Sequence, residues 1–202
     1  MDYSKVSVTD YIKDVASKKI APGGGSASAL AASIGASLNL MVINFGIVPS
    51  KGKEDLEKLY LLKDNQDLLM QQALQLINED CVVFIDLMAS ITNRSDTPDK
   101  YVAAATVPLK ICRVAGESMK IAGSVLGLVK GIIVSDIACS RQMLISAFYS
   151  AEINVKMNLK GIGQGPVLDR FLSEMKELKT GIEKDAAEID ERLFQRGILK
   201  GD

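Results

Sequence analysis

The chain has no histidine in 202 residues. That absence removes Ser-His-Asp and Cys-His nucleophile pairs, imidazole-ligated metals and imidazole proton transfer together. Catalysis, if there is any, must run on carboxylates, amines, hydroxyls, amides or backbone dipoles. Charge of one sign is also missing: 24 Lys and Arg against 25 Asp and Glu give a net charge of -1 with no basic block, so the electrostatic footprint of a nucleic-acid binder is absent. The three cysteines, Cys81, Cys112 and Cys139, are odd in number and sit in apolar, helix-like sequence. They read as free thiols, not a disulfide framework or a zinc site. The first residues, MDYSKVSVTDYIKD, lack the basic and apolar blocks of a secretory signal. A cytoplasmic protein is expected.

Only five prolines interrupt the chain and aromatics make up 5% of it, while apolar residues recur at spacings of three and four. The expectation is an all-α fold: a single domain over residues 1–202, built as one antiparallel helical bundle with long, partly kinked helices. A short helix starts after Ser7 or Thr9. A second follows Ala21 to Gly25, capped by Ser26, and runs to about Phe45. A very long third covers about Glu54 to Ile91, ending at TNRSDTPD. Pro98 opens a fourth, and Pro108 within it should kink it. A fifth runs from about Asp136 to Leu159. The last, from about Val167 to Ile198, carries EMKELKTGIEKDAAEIDERL, an amphipathic outer face with intrahelical ion pairs.

No charged side chain occurs between Ile20 and Ser50, and this run opens with APGGGSASAL. A phosphate-binding loop would need a Lys and a hydroxyl residue after the last glycine and a strand before the first; neither is present. A membrane span fits by length alone. Ser28, Ser33, Ser37, Asn39 and Asn44, with no aromatic belt, speak against it. What remains is a turn that brings backbone amides to a ligand oxygen at a helix N-terminus, or simply a tight connection between two helices.

Pro22-Gly23-Gly24-Gly25-Ser26 before a small-residue helix resembles the signature of the cyclodeaminase/cyclohydrolase family, related to the C-terminal domain of formiminotransferase-cyclodeaminase. The similarity continues through Met41-Val42, Lys51-Gly52-Lys53, Glu79-Asp80 with Phe84, Val107-Pro108-Leu109, Ser135-Asp136 and INVKMNLKGI. It implies a helical, homodimeric enzyme that opens or closes the one-carbon bridge between the two reactive nitrogens of tetrahydrofolate. Ammonia leaves 5-formiminotetrahydrofolate in one version; water adds to 5,10-methenyltetrahydrofolate in the other. No metal and no cofactor beyond the folate substrate is implied. Two features depart from the pattern: Val129 to Val134 replaces a Gly-Asn-x-Asn-like loop, and Lys19-Ile20 replaces Thr-Pro. A non-catalytic folate-binding or dimeric scaffold protein of the same fold is the alternative.

Asp80, in apolar surroundings that raise a carboxyl pKa, is the candidate acid-base group; an ion-paired helix carboxylate is its plain alternative. Phe84, one turn on, can stack on a pterin or benzoyl ring. Asn154 and Asn158 share a helix face and suit either a pterin edge or a cross-link between helices at a dimer interface. Lys51 and Lys53 suit the anionic glutamate tail, polyglutamylated or not. Pro22, Gly23, Gly24, Gly25 and Ser26 suit a substrate oxygen or the developing tetrahedral centre. Ser135 and Asp136 serve as a helix N-cap first and a ligand contact second.

Overall fold

The computed structural model describes residues 1–95 and 97–199. Among them the chain forms six α-helices and no strand: α1 (Val8–Val15), α2 (Gly24–Gly46), α3 (Lys53–Thr92), α4 (Pro98–Leu128), α5 (Ser135–Leu159) and α6 (Pro166–Gln195), with a 3-10 turn at Ile132–Val134 ahead of α5. Residue 96, in the TNRSDTPD break, lies outside the described residues.

Side-chain pairings set the directions. Lys100 and Lys110 of α4 meet Asp86 and Glu79 of α3 in reverse order. Gly24 and Gly35 of α2 stand against Asn154 and Leu144 of α5, while Gly46 stands against Leu59, near the start of α3. Arg141 and Glu152 of α5 meet Asp190 and Lys179 of α6. These pairs run antiparallel, as short connections require. α4 and α6 run parallel, since Arg113 bonds Glu174 and Arg192 bonds the Gly123 carbonyl.

α2 lies at the centre, against α3, α4 and α5. Its Ala, Ser and Gly residues allow the close approach: a Cβ on Gly35 would lie 2.8 Å from the Leu144 side chain. Most of the polar groups this buries are matched, Asn39 Oδ1 being one that is not. Asn39 donates to the Ser118 carbonyl at 2.9 Å, Gln66 donates to the Ser118 hydroxyl at 3.2 Å, and Ser140 donates to the Gly35 carbonyl at 2.7 Å. By length and composition α2 and the stretch Ile132–Leu159 would each span a bilayer; much of α2 is covered by its neighbours instead.

Three expectations change. α2 begins two residues before Ser26, with Gly23 as N-cap, so Ser26 sits inside the first turn and does not cap it. The 3-10 turn feeds directly into α5, so Val134 holds the N-cap position and neither Ser135 nor Asp136 makes a capping hydrogen bond. The α6 charges work mostly between helices: Glu174, Lys179 and Asp190 reach Arg113, Glu152 and Arg141, and Lys184–Glu188 is the intrahelical pair. α4 continues as helix through Pro108.

Cations gather at the C-terminal end of α4. Lys51 donates to the Leu128 carbonyl, Arg192 to Gly123, and Arg196 to Leu126 and Val129. The last carbonyls of a helix lack intrahelical partners and carry partial negative charge; Lys51 and Arg196 satisfy both needs, and Arg192 adds its charge one turn earlier.

Candidate active site

The α2 N-terminus, the late part of α3, the start of α4 and the end of α5 meet around a cavity of about 170 Å³. It is lined by Gly23, Gly24 and Gly25, by Asp80, Val83 and Phe84, by Ala104, and by Asn154, Met157 and Asn158. Four helices separated in sequence converge here because α2 and α4 begin at the end of the bundle where α3 and α5 finish.

Asp80 lies against the glycine turn. A Cβ added to Gly25 would fall 2.0 Å from its Oδ1 and 2.6 Å from its Oδ2, so only glycine admits the carboxylate. Ser26 favours the approach: its backbone N–H, in the first turn of α2 and therefore without an intrahelical partner, faces the Asp80 carboxylate and favours its charged form. Burial pushes the Asp80 carboxyl up to about 6, and the Ser26 amide pulls in the opposite direction. The result is a carboxylate able to take up and release a proton close to neutral pH.

Behind the turn, the Ser26 hydroxyl lies 2.9 Å from the Tyr11 hydroxyl, both buried. Tyr3 packs edge-to-face on Tyr11 with ring centroids 6.0 Å apart, and its hydroxyl donates to Asp14 at 2.9 Å and to the Ala21 carbonyl at 3.3 Å. Two tyrosines of the N-terminal segment thus hold the turn from either side. The Ala21–Pro22 bond is cis and both residues are buried.

The two asparagines approach from α5. Asn154 lies over Gly24 and donates from Nδ2 to the Ser150 carbonyl at 2.8 Å; Asn158 donates from Nδ2 to the Ala104 carbonyl at 2.6 Å. Each Nδ2 gives one of its two hydrogens to a carbonyl, and each Oδ1 accepts no hydrogen bond among the described residues. The cavity therefore presents a carboxylate, two amide oxygens and the backbone of the glycine turn beside the Phe84 ring. Among the described residues no cluster of His, Cys, Asp or Glu could hold a metal ion.

Gly23, Gly24, Gly25, Asp80, Phe84, Asn154 and Asn158 are thus brought together, with Pro22 and Ser26 flanking them. Lys51, Lys53, Ser135 and Asp136 are not. Lys51 and Lys53 follow the far end of α2, which at 1.5 Å per residue lies roughly 33 Å from Gly24. Lys51 is occupied by the Leu128 carbonyl and Lys53 faces Glu57 at 3.9 Å, almost fully exposed. Ser135 and Asp136 start α5, roughly 28 Å along the helix from Asn154. Sequence spacing alone does not single out Ala104, Met157 or Tyr11. For Ala104 a signal exists in Pro108, four residues later. A larger cleft of about 740 Å³ lies between α4 and α6, but its charged wall includes the closed Arg113–Glu174 pair and lacks the glycine turn and Asp80.

The chain is similar to known proteins over most of its length. The chain is 27% identical over 202 residues to a methenyltetrahydrofolate cyclohydrolase of Methylorubrum extorquens, covering 94% of each. It is 29% identical over 191 residues to the formimidoyltransferase-cyclodeaminase of Gallus gallus, covering 87% of this chain and 34% of that longer protein. The crystal structure of a formiminotetrahydrofolate cyclodeaminase from Thermotoga maritima superposes with a TM-score of 0.91 at 20% identity, covering 96% of this chain and 99% of that one; this shows a common fold. The family model of formiminotransferase-cyclodeaminase matches residues 7–177, and the chain belongs to that family.

Proposed function

We propose that the protein interconverts one-carbon derivatives of tetrahydrofolate, opening or closing the bridge between the two reactive nitrogens, with Asp80 as the catalytic acid-base group. The observation that carries this reading is the Asp80 carboxyl, pushed up to about 6 in a cavity walled by the glycine turn and two asparagines. The reacting unit of either substrate is an N–C–N system that carries positive charge as a methenyl bridge or a protonated formimino group. A carboxylate and two amide oxygens complement such a cation. At about 170 Å³ the cavity is smaller than the roughly 300–1,000 Å³ of a drug-sized ligand pocket. It suits the bridge and its neighbouring ring, and the rest of the folate would extend outward.

In the hydrolytic direction Asp80 takes a proton from water as its oxygen bonds to the bridging carbon. The same proton then returns to the nitrogen as its bond to the carbon breaks, the remaining O–H proton passes to solvent, and a formyl group remains. In the deaminating direction Asp80 takes the proton from the attacking nitrogen and delivers it to the departing ammonia. One carboxylate serves both because nucleophile and leaving group sit on one tetrahedral carbon. Phe84 offers a face for the aromatic portion. The family resemblance and the two named relatives favour these reactions over binding without chemistry.

The protein acts as a cytoplasmic homodimer without nucleic-acid or membrane partners. Support for the dimer comes from the outward side of α2, where Ala27, Ala31, Ile34, Leu38, Met41 and Phe45 alternate at spacings of four and three. That is the seam of a helix pair, and Ile34 and Phe45 are 43% and 64% exposed. A patch on a single helix repeated by a two-fold axis is self-complementary.

Purified protein mixed with 5,10-methenyltetrahydrofolate, and separately with 5-formiminotetrahydrofolate, is followed by absorbance. Turnover of either is expected, with Asp80→Asn losing it while still binding tetrahydrofolate by calorimetry. Wild-type binding without turnover would establish the scaffold alternative; neither binding nor turnover would refute the folate reading.

A further inference from the structure

The cavity wall contains a carbonyl that α4 cannot use. In a regular α-helix the Ala104 carbonyl accepts the amide of residue 108. That residue is Pro108, which has no N–H and whose ring crowds the carbonyl four residues back. The missing donor therefore leaves its gap at Ala104. Asn158 fills it from another helix, donating from Nδ2 at 2.6 Å.

We propose that Pro108 is a positioning residue for the substrate site: by freeing the Ala104 carbonyl, it anchors Asn158 so that Oδ1 faces the ligand. This rests on the folate reading of the cavity. Three observations combine. Ala104 and Asn158 both line the cavity and Pro108 stands one turn behind, buried. An asparagine amide has one end that donates and one that accepts, so fixing the donor end fixes which end the ligand meets. A proline in a helix interior is otherwise unfavourable, and α4 accommodates it without breaking. Pro108 itself reaches no ligand; its effect passes through the Ala104 carbonyl to Asn158.

The chemical consequence is specific. An acceptor held at that point recognises an N–H or a cationic N–C–N edge and discriminates against a ligand presenting a lone pair there. Were Asn158 free to rotate, its NH₂ end could take the same place and the discrimination would weaken. Replacing Pro108 with alanine restores the backbone donor. The new amide claims the Ala104 carbonyl, and Asn158 loses its anchor while every cavity-lining side chain is unchanged.

The test is a double-mutant cycle with Pro108→Ala, Asn158→Ala and the double variant, reading KM and kcat for 5,10-methenyltetrahydrofolate and 5-formiminotetrahydrofolate together with thermal melting. Pro108→Ala is expected to raise KM about tenfold with kcat nearly unchanged, the pattern of a lost binding interaction, and to melt no lower than wild type. The double variant should lose no more than Asn158→Ala alone, because the two residues act as one unit. Full affinity in Pro108→Ala, or losses that add in the double variant, would overturn the positioning role even if Asn158→Ala is impaired. Should Asn158→Ala itself match wild type, the reading of this cavity as the folate site fails first.

Discussion

Gly25 and Asp80 occupy space that a single extra carbon would contest: a Cβ on Gly25 would stand 2.0 Å from the Asp80 Oδ1. Gly25→Ala must therefore displace the carboxylate or the start of α2, and either movement breaks the contact with the Ser26 amide. Activity should fall at least 100-fold, the range of losing a well-placed acid-base group. Gly24 is a graded control: its Cβ would meet Asn154 at 3.5 Å, an ordinary contact, so Gly24→Ala should cost much less. Equal losses from the two variants, measured by steady-state turnover, would contradict the close-approach argument.

The raised Asp80 pKa makes stability depend on pH in a definite direction. The folded carboxyl titrates at about 6 against an ordinary value of 3.8, so between these values the folded protein holds a proton that the unfolded chain has already lost. Its favourable contribution is complete below the unfolded value and disappears as pH rises through about 6. Two units correspond to about 3 kcal/mol. Asp80→Asn cannot ionise and escapes that cost. It should be more stable than wild type at pH 8, by up to about 3 kcal/mol, and close to it at pH 4. Urea melts across this range, with activity lost about 10² to 10⁴-fold, would show stability and function drawn in opposite directions by one residue.

Tyr11 supports the same carboxylate at one remove. Its hydroxyl meets the Ser26 hydroxyl at 2.9 Å, and the Ser26 amide meets Asp80. Tyr11 and Cys81 are themselves pushed up, first by burial, and remain neutral where Asp80 titrates. Tyr11→Phe removes only the tether. The expected result is a loss of about 1 kcal/mol of stability and an upward move of the activity profile's acidic midpoint, because a loosened Ser26 amide holds the carboxylate less well. A variant with lower stability and an unmoved midpoint would make Tyr11 a packing residue only.

The legible part of the site was the part written within single helices. Asp80 with Phe84 and Asn154 with Asn158 each share a face at a spacing of four, and three glycines ahead of a charge-free helix identify a close approach. The failures are of length and register. Lys51 and Ser135 flank helices whose other ends line the cavity, and a helix of 23 residues such as α2 carries its two ends far apart. Ser26 has the side chain of an N-cap, but the preceding glycines start the helix earlier and turn its hydroxyl toward Tyr11. Contacts between helices, such as Pro108 freeing a carbonyl for Asn158, leave only one half of the pair visible in any local stretch.

The outward seam of α2 leads to the last prediction. Ile34→Lys and Phe45→Lys change residues that are already exposed in one chain, so each should leave the helical fold and its melting nearly intact while placing charges on the two-fold contact. Sedimentation should then show a monomer in place of the proposed wild-type dimer. The seam begins at Ala27, and a groove lined by Gly24, Ala27, Ser146, Ser150, Ile153 and Asn154 shares Gly24 and Asn154 with the cavity. A second copy lying along α2 would wall that groove, which runs outward from where the folate ring is expected. Dissociation should therefore raise KM more than it lowers kcat, because the lost contacts hold the part of the ligand remote from Asp80. A monomer with unchanged KM would confine the seam to assembly, and a persistent dimer would place the interface on another face.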